Sequence, residues 1–485
     1  MADVVAAAPL WSWNELLQAS GGTPDGTPPG AVTGISIDTR TIQPGDLFVA
    51  LKDARDGHEF VTAAFESGAI AALVARDYAR KSGDGALVRA GDPLAALEAI
   101  GRAARARLPT GARVIAVTGS AGKTGTKEML RACLSVAGRV HASEKSYNNH
   151  WGVPLTLARM PADTQFGIFE IGMNHAGEIR PLTRMVRPHV AIVTNVLPVH
   201  VGNCPDGEAG VAKAKAEIFE GLEPDGTAII LRDSPHFALM RQQALAARAN
   251  VRTFGAKDDA DGRCRRALHG SDGARSNTDV QSEIDGREFR YRLATPGQHI
   301  VMNSLAVALC LDRLGLLSDP VLAPLEAIGP SQGRGERLKL DTRAGPVLLI
   351  DESYNANPSS MQWAAILANA EVEAPFQRGV FVLGDMLELG DRAAKFHAEL
   401  GTFIADAMDG IDSVHACGPM MKHMFEELPP ERRGVWTATS AELIPHVLKD
   451  IRAGDVVMVK GSNGSRLAPV VAAIKKHFAG PSGSV

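Results

Sequence analysis

Cysteine is scarce in this chain and scattered where it occurs: Cys133, Cys204, Cys264, Cys310 and Cys417 form no Cys-x-x-Cys pair. An odd number at such spacings makes a poor disulfide framework or zinc site and suits small buried hydrophobes in a reducing cytoplasm. An excess of charge is also missing. Fifty-one basic residues against 55 acidic ones leave a formal net charge of -4, so no broad cationic surface is available and no nucleic-acid partner is expected. No apolar run reaches membrane-spanning length, and the apolar stretch Val4 to Leu10 follows no Lys or Arg cluster. Neither membrane insertion nor a secretory signal is expected, which leaves small-molecule chemistry in the cytoplasm. Coiled-coil heptads, solenoid periods and low-complexity tracts are lacking as well.

What is present is ordinary globular composition, 45% hydrophobic and 22% charged, with 49 Gly and 28 Pro marking many turns between short elements. A chain of 485 residues exceeds what one core usually organises, so several domains are expected, with three as the working number. Residues 1–110 alternate short apolar runs, such as Gly45 to Leu51, with helical stretches such as Val61 to Gly68, and read as a small α/β domain. An Ala/Arg helix from Ala95 to Leu108 closes it, and Pro109 with Gly111 marks the boundary. Residues 111–332 repeat a strand-then-helix pattern, with strands expected at Val114 to Val117, Gly167 to Ile171, Val190 to Asn195 and Thr227 to Leu231, which predicts a parallel sheet covered by helices. Residues 256–292, polar and poor in apolar side chains, read as irregular loops or polar hairpins.

Residues 333–485 carry four further apolar runs that each end in small or polar residues: Val347 to Ile350 before Asp351, Gly379 to Leu383 before Gly384-Asp385, Ser413 to Ala416 before Gly418, and Val456 to Val459 before Lys460-Gly461-Ser462. Ligands of open α/β sheets gather at the carboxyl ends of strands, so this segment reads as a second nucleotide- or substrate-facing domain. The tail from Ala479 is expected to fray.

The strongest local signal is Thr118-Gly119-Ser120-Ala121-Gly122-Lys123-Thr124-Gly125 between an expected strand and an expected helix. Glycines let backbone N–H groups approach phosphate oxygens, the helix N-terminus favours their charge, Lys123 can reach the terminal phosphates, and the Thr124 hydroxyl can bind magnesium. The first glycine of the longer common form is replaced by Val117, and a Gly-rich turn before a helix is the plain alternative. No Asn-Lys-x-Asp guanine-reading tetrapeptide occurs, which argues against a GTPase. Magnesium needs further hard oxygen ligands, and Glu170 at a strand end is placed for that role, although a solvated loop charge is the commoner fate of such a glutamate. His200 follows the strand Val190 to Asn195 on the same edge. Lys213 and Lys215, in Ala212 to Phe219, read by themselves as solvent charges on an amphipathic helix.

Taken in order, these motifs resemble the Mur ligases. The similarity runs through Gly119 to Thr124, Tyr147-Asn148-Asn149-His150-Trp151-Gly152, Glu170-Ile171-Gly172-Met173-Asn174-His175-Ala176-Gly177-Glu178, Thr194-Asn195 to His200, and Ala212 to Lys215. It continues through Gly333-Arg334-Gly335, Asp351-Glu352-Ser353-Tyr354-Asn355-Ala356-Asn357-Pro358, Gly384-Asp385-Met386 and Val459 to Ser462, and reaches the first segment at Ser36-Ile37-Asp38-Thr39-Arg40 and Pro44 to Ala50. The shortened glycine loop is a feature of that family too. Implied are three domains: a UDP-substrate-binding one (1–110), a central P-loop ATPase (111–332), and a C-terminal Rossmann-like one (333–485) closing on ATP and the incoming amine.

The Tyr354 to Pro358 and Asn174 to Glu178 stretches are similar to the branch that adds D-alanyl-D-alanine to UDP-N-acetylmuramoyl-tripeptide, and the Asp-Asn-Pro-Arg tetrapeptide of the diamino-acid-adding branch is absent. The implied activity is therefore an ADP-forming peptide ligase of peptidoglycan synthesis working through an acyl phosphate, with ATP and Mg²⁺, as a monomer. A diamino-acid-adding ligase, a folylpolyglutamate synthetase-like enzyme and a non-catalytic ATP-binding regulatory module are the alternatives.

Carried over by position, the resemblance gives Gly119, Ser120, Ala121, Gly122, Lys123, Thr124 and Gly125 to the phosphates of ATP, and Thr124, Glu170, His200 and a carbamylated Lys215 to magnesium. Lys123, Glu170, His200 and Lys215 are the implied catalytic set. Asn303, Arg334 and Asp351 are implied to contact ATP. The adenine-reading pattern is incomplete, since Ile300 stands where relatives have asparagine. Asn148, Asn149, Tyr354, Asn355 and Asn357 would lie near substrate. Ser36, Asp38, Thr39 and Arg40 would receive the UDP end, or else form an Asx-type turn closed by an arginine pair.

Overall fold

A computed structural model of the chain describes residues 9–53, 55–144, 146–198, 204, 206–272, 275–329, 333–342 and 344–478. Two compact units are formed, Met1–Leu197 with Glu208–Ile328, and chiefly Gly329–Val485.

The first unit holds two sheets. The smaller has five strands in the order Thr23–Asp25, Ala86–Ala90, Ala71–Ala75, Asp46–Val49, Gly34–Ser36, parallel except at the Thr23–Asp25 edge. The helix Pro93–Ala106 follows, started by Asp92, whose carboxylate accepts the N–H of Leu94, and by proline in the first turn. Trp11 joins this part to the larger sheet: its indole donates to the carbonyl of Ala158 at 2.9 Å while the Arg107 guanidinium stacks 3.5 Å from its ring.

The larger sheet has nine strands in the order Arg287–Leu293, Arg275–Ile284, Gly262–Asp272, Asn250–Gly255, Thr227–Leu231, Val190–Val193, Arg113–Thr118, Phe166–Glu170, Val140–Ala142. Val114, Ile115, Ala116 and Val117 are all fully buried, as an unbroken apolar run in a parallel sheet covered on both faces requires. After Arg113–Thr118 the chain builds outward on one side through Val140–Ala142 and Phe166–Glu170, then crosses to the other at Val190–Val193. The loop leaving Arg113–Thr118 therefore sits at a topological switch point, where a crevice opens between diverging connections.

The polar stretch expected as loops or hairpins forms three long antiparallel strands that extend this sheet. Its few apolar residues suffice because alternation sends them to one face: Val280, Ile284, Tyr291 and Leu293 are buried in the core beneath the helix Gln298–Arg313. Such a strand is stabilised by partners remote in sequence, so its local composition understates it.

The second unit is a six-stranded sheet in the order Glu336–Thr342, Gly345–Glu352, Asp455–Lys460, Arg378–Gly384, Ile411–Cys417, Arg433–Thr437, parallel except at the Glu336–Thr342 edge, with a core on each face. All four apolar runs expected there are strands, and their polar ends share one edge. Among the described residues no helix is long and apolar enough to cross a membrane.

Candidate active site

The loop after Arg113–Thr118 is held open by its own neighbours. Gly119 has φ +149° and Gly122 has φ +82°, and both pack too tightly for a side chain: a Cβ on Gly119 would lie 1.9 Å from Thr194 Oγ1, and one on Gly122 would lie 2.5 Å from Asn303 Nδ2. From the adjacent strand end, Asn195 Oδ1 accepts the N–H of Ala121 at 2.9 Å, and Thr194 Oγ1 donates to the Ala121 carbonyl at 2.6 Å. Ser120 Oγ donates to the Leu197 carbonyl and accepts the Leu197 N–H, at 3.1 and 3.0 Å. The helix Lys123–Ser135 then begins from a glycine that offers no side-chain cap, so its first N–H groups, together with the positive end of the helix dipole, face the concavity. Lys123 Nζ folds back onto the Gly119 carbonyl at 2.8 Å.

Thr124 and Glu170, 46 residues apart, meet inside this site. The Thr124 hydroxyl donates to Glu170 Oε2 at 2.9 Å, and Asn148 Nδ2 donates to Oε1 at 2.8 Å. Glu170 is 1% exposed. A carboxylate so buried, whose donors among the described residues are neutral, fits a position that takes a cation, and carboxylate plus hydroxyl is the oxygen set that a hard divalent ion prefers. No group of three or more His, Cys, Asp or Glu residues suited to a metal occurs among the described residues. Here His200 lies outside the described residues.

Lys213 and Lys215 separate once the helix Gly207–Ala216 is in place: Lys213 is exposed and Lys215 is 2% exposed. A two-residue offset on a helix turns the side chain about 200°, so the pair cannot share an environment. Asn149 lies just ahead of the helix Gly152–Ala158, its Oδ1 accepting the N–H of Gly152 at 2.9 Å. Asn303 lies on the buried face of Gln298–Arg313 against Gly122, whereas Ile300 is a partly buried side chain packed on the central core.

The Ser36 to Thr41 loop closes on itself. Asp38 accepts the Arg40 backbone N–H at 3.0 Å and its guanidinium at 2.9 and 2.6 Å, Ser36 Oγ lies 3.1 Å from Thr41 Oγ1, and Thr39 opens a short 3₁₀ turn. This is the Asx-type turn with an arginine pair, and Arg40 stays largely in solvent.

In the second unit, Asp351 is buried one residue before the end of its strand, with Oδ1 accepting both the N–H and the hydroxyl of Ser353 at 3.1 and 2.6 Å. The other carboxylate oxygen has no hydrogen-bond partner among the described residues. Arg334 stacks on Tyr354 at 4.2 Å. Buried Lys460 bonds Glu352 at 3.1 Å and the Asn355 carbonyl at 3.0 Å, which fixes the loop between them. Asn357 caps the helix Pro358–Ala370 through a reciprocal pair with Ser360.

Sequence reasoning passed over Ser143 and Lys127. Ser143 Oγ accepts the Glu170 N–H at 3.2 Å, and Lys127 Nζ donates to the Ser143 carbonyl at 2.6 Å. The available signal was periodicity: Lys127 falls on the apolar face of its helix with Leu130 and Leu134 buried along it, where a lysine is out of pattern.

Two family descriptions match the chain: Mur ligase middle domain over residues 117–311 and Mur ligase, glutamate ligase domain, over residues 333–463. Among curated relatives, the UDP-N-acetylmuramoyl-tripeptide--D-alanyl-D-alanine ligase of Bacillus subtilis strain 168 is 34% identical over 449 residues, covering 91% of this chain and 92% of that protein. Its counterpart in Escherichia coli K12 is also 34% identical, covering 91% and 94%. The fold is similar to MurF from Acinetobacter baumannii, with TM-score 0.80 and 28% identity over 97% of this chain and 100% of that one. A MurF ligase from Thermotoga maritima in complex with ADP shares the fold at TM-score 0.71 and 22% identity, over 92% and 97% of the two chains.

Proposed function

The chain belongs to the Mur ligase family, and from that premise we propose that it joins D-alanyl-D-alanine to UDP-N-acetylmuramoyl-tripeptide, converting ATP to ADP and phosphate, in cytoplasmic synthesis of peptidoglycan precursors. The observation that carries this reading is likeness to UDP-N-acetylmuramoyl-tripeptide--D-alanyl-D-alanine ligases along the length of both chains, since a phosphate loop alone serves many reactions.

A carboxylate is a poor electrophile with a poor leaving group, and phosphorylation remedies both defects. The tripeptide carboxylate attacks the γ-phosphorus of ATP, the bond to ADP breaks, and the resulting acyl phosphate is attacked by the dipeptide amine with loss of a proton and of inorganic phosphate. Within that scheme the first-turn N–H groups after Gly122 receive phosphate oxygens, and Lys123 exchanges its bond to the Gly119 carbonyl for one to phosphate. Thr124 and Glu170 would hold magnesium, with Asn148 fixing the carboxylate, and buried Lys215, carbamylated by carbon dioxide, would supply a further carboxylate ligand. Bound there, magnesium would neutralise charge gathering on the transferring phosphoryl group. Asp351 offers its unengaged oxygen to a ribose hydroxyl, Arg334 and Asn303 contact the nucleotide, and Tyr354, Asn355 and Asn357 frame the dipeptide. Residues 1–110 take the UDP end through Ser36 to Arg40, 111–332 take ATP, and 333–485 take the amine.

Release of ADP measured with UDP-N-acetylmuramoyl-tripeptide, offered D-alanyl-D-alanine, meso-diaminopimelate or glutamate in turn, tests this directly. Stimulation by D-alanyl-D-alanine alone is expected. Stimulation only by another amine would overturn the substrate assignment.

A further inference from the structure

We infer that Lys127 is a positioning residue for the magnesium ligands, acting through Ser143 and the backbone of Glu170; the inference rests on the magnesium reading proposed above. Lys127 is 1% exposed, on the first turns of the helix that Thr124 also occupies. Its ammonium donates to the Ser143 carbonyl at 2.6 Å and pairs with Glu128 at 2.9 Å. Ser143, itself 3% exposed, accepts the Glu170 N–H on its hydroxyl at 3.2 Å and donates its own N–H to the Ile168 carbonyl at 3.1 Å. Glu170 returns to the starting helix by accepting the Thr124 hydroxyl at 2.9 Å.

These contacts close a ring, from Thr124 along the helix to Lys127, across to Ser143, on to Glu170 and back to Thr124. The ring sets the separation and angle between the two oxygen donors that the metal would share. The segment that carries Ser143 also meets the helix through the apolar packing of Val140 and Ala142 and through the 3.5 Å approach of the Ser146 and Thr124 hydroxyls, but the Lys127 bond is a polar tie that, unlike the Thr124 to Glu170 contact, metal binding need not rearrange. A buried ammonium is costly to desolvate, and an apolar side chain would fill this helix face without that penalty, so its presence needs a reason beyond packing. Holding the outer partners of a metal ligand is such a reason, and loss of comparable outer partners lowers metal affinity by about 10- to 100-fold.

The test compares full-length wild type with Lys127→Met, Lys127→Arg, Ser143→Ala, Glu170→Gln and, as a core control, Leu134→Ala. Dissociation constants for ADP are measured by calorimetry with excess magnesium and with chelator, alongside Tm and the magnesium concentration giving half-maximal activity. Lys127→Met is expected to weaken only the magnesium-supported binding, by about tenfold, and to raise the half-activating magnesium concentration in parallel. Lys127→Arg should recover part of the effect, and Leu134→Ala should lower Tm without moving either magnesium measure. If Lys127→Met does not fold, Ser143→Ala decides in its place by the same two measures. A shift in Glu170→Gln with none in Lys127→Met or Ser143→Ala overturns this inference and leaves the metal reading standing. No shift even in Glu170→Gln overturns the metal reading itself. An equal shift in Leu134→Ala assigns Lys127 to packing.

Discussion

Of the glycines in the phosphate loop, Gly122 and Gly125 should respond oppositely to alanine. Gly122 has φ +82°, and a Cβ there would lie 2.5 Å from Nδ2 and 2.9 Å from Oδ1 of Asn303, a residue only 4% exposed. The left-handed backbone penalises a side chain by about 1–2 kcal/mol. Displacing the Asn303 amide from its seat adds about 1 kcal/mol. A short loop can relieve strain of this order, about 2–3 kcal/mol in all, by leaving its phosphate-ready conformation while the sheet beneath stays folded. Since about 1.4 kcal/mol is tenfold in affinity, Gly122→Ala is expected to weaken ADP binding roughly 30- to 150-fold with little change in Tm. At Gly125, inside the helix, an added Cβ would meet nothing within 4 Å. Alanine there should leave binding near wild type and gain up to about 1 kcal/mol of helix stability. Calorimetric titration with magnesium and ADP, paired with thermal melts, reads both effects. Binding by Gly122→Ala within about threefold of wild type, or an equal loss in Gly125→Ala, would refute the argument that loop conformation creates the phosphate site.

The buried and exposed lysines of Gly207–Ala216 should part company in the ligase assay: Lys215→Ala nearly inactive and partly rescued by small carboxylates, Lys213→Ala close to wild type. Full activity in Lys215→Ala would remove that residue from the site. His189 is held neutral, its pKa lowered to about 4 chiefly by burial and then by Arg105 and Arg113, while its Nδ1 accepts the Val114 N–H at 2.9 Å. The unfolded chain binds that proton near pH 6.5, so the folded state loses stability as pH falls from about 6.5 to 4 and keeps it above that window. His189→Gln lacks this term, so its Tm deficit relative to wild type should shrink across the same window, and a constant deficit would show that His189 does not titrate there. Ser36→Ala and Arg40→Ala test the first-domain loop: a rise in KM for the UDP-linked substrate, with kcat held, is expected if the turn also receives substrate.

The strand, glycine loop and helix from Val114 to Ser135 could be read from the chain because each depends on neighbours within a few residues: an apolar run, a glycine needed for backbone approach, a helix start. The parallel sheets followed from the same local alternation repeated. Tertiary structure alone decided the matters that depend on distance. Glu170 became a buried partner of Thr124 rather than a solvated loop charge because two strands side by side in the sheet are far apart in sequence. Gly262–Asp272, Arg275–Ile284 and Arg287–Leu293 became sheet because their few apolar side chains found a helix to pack under. Lys215 and Lys213 look alike in the sequence by their residue type, and only the rotation of a docked helix buries one and exposes the other. Lys127 was hidden for the same reason: a lysine near a phosphate loop reads as one more surface charge until the helix face it occupies is seen to point inward, at Ser143.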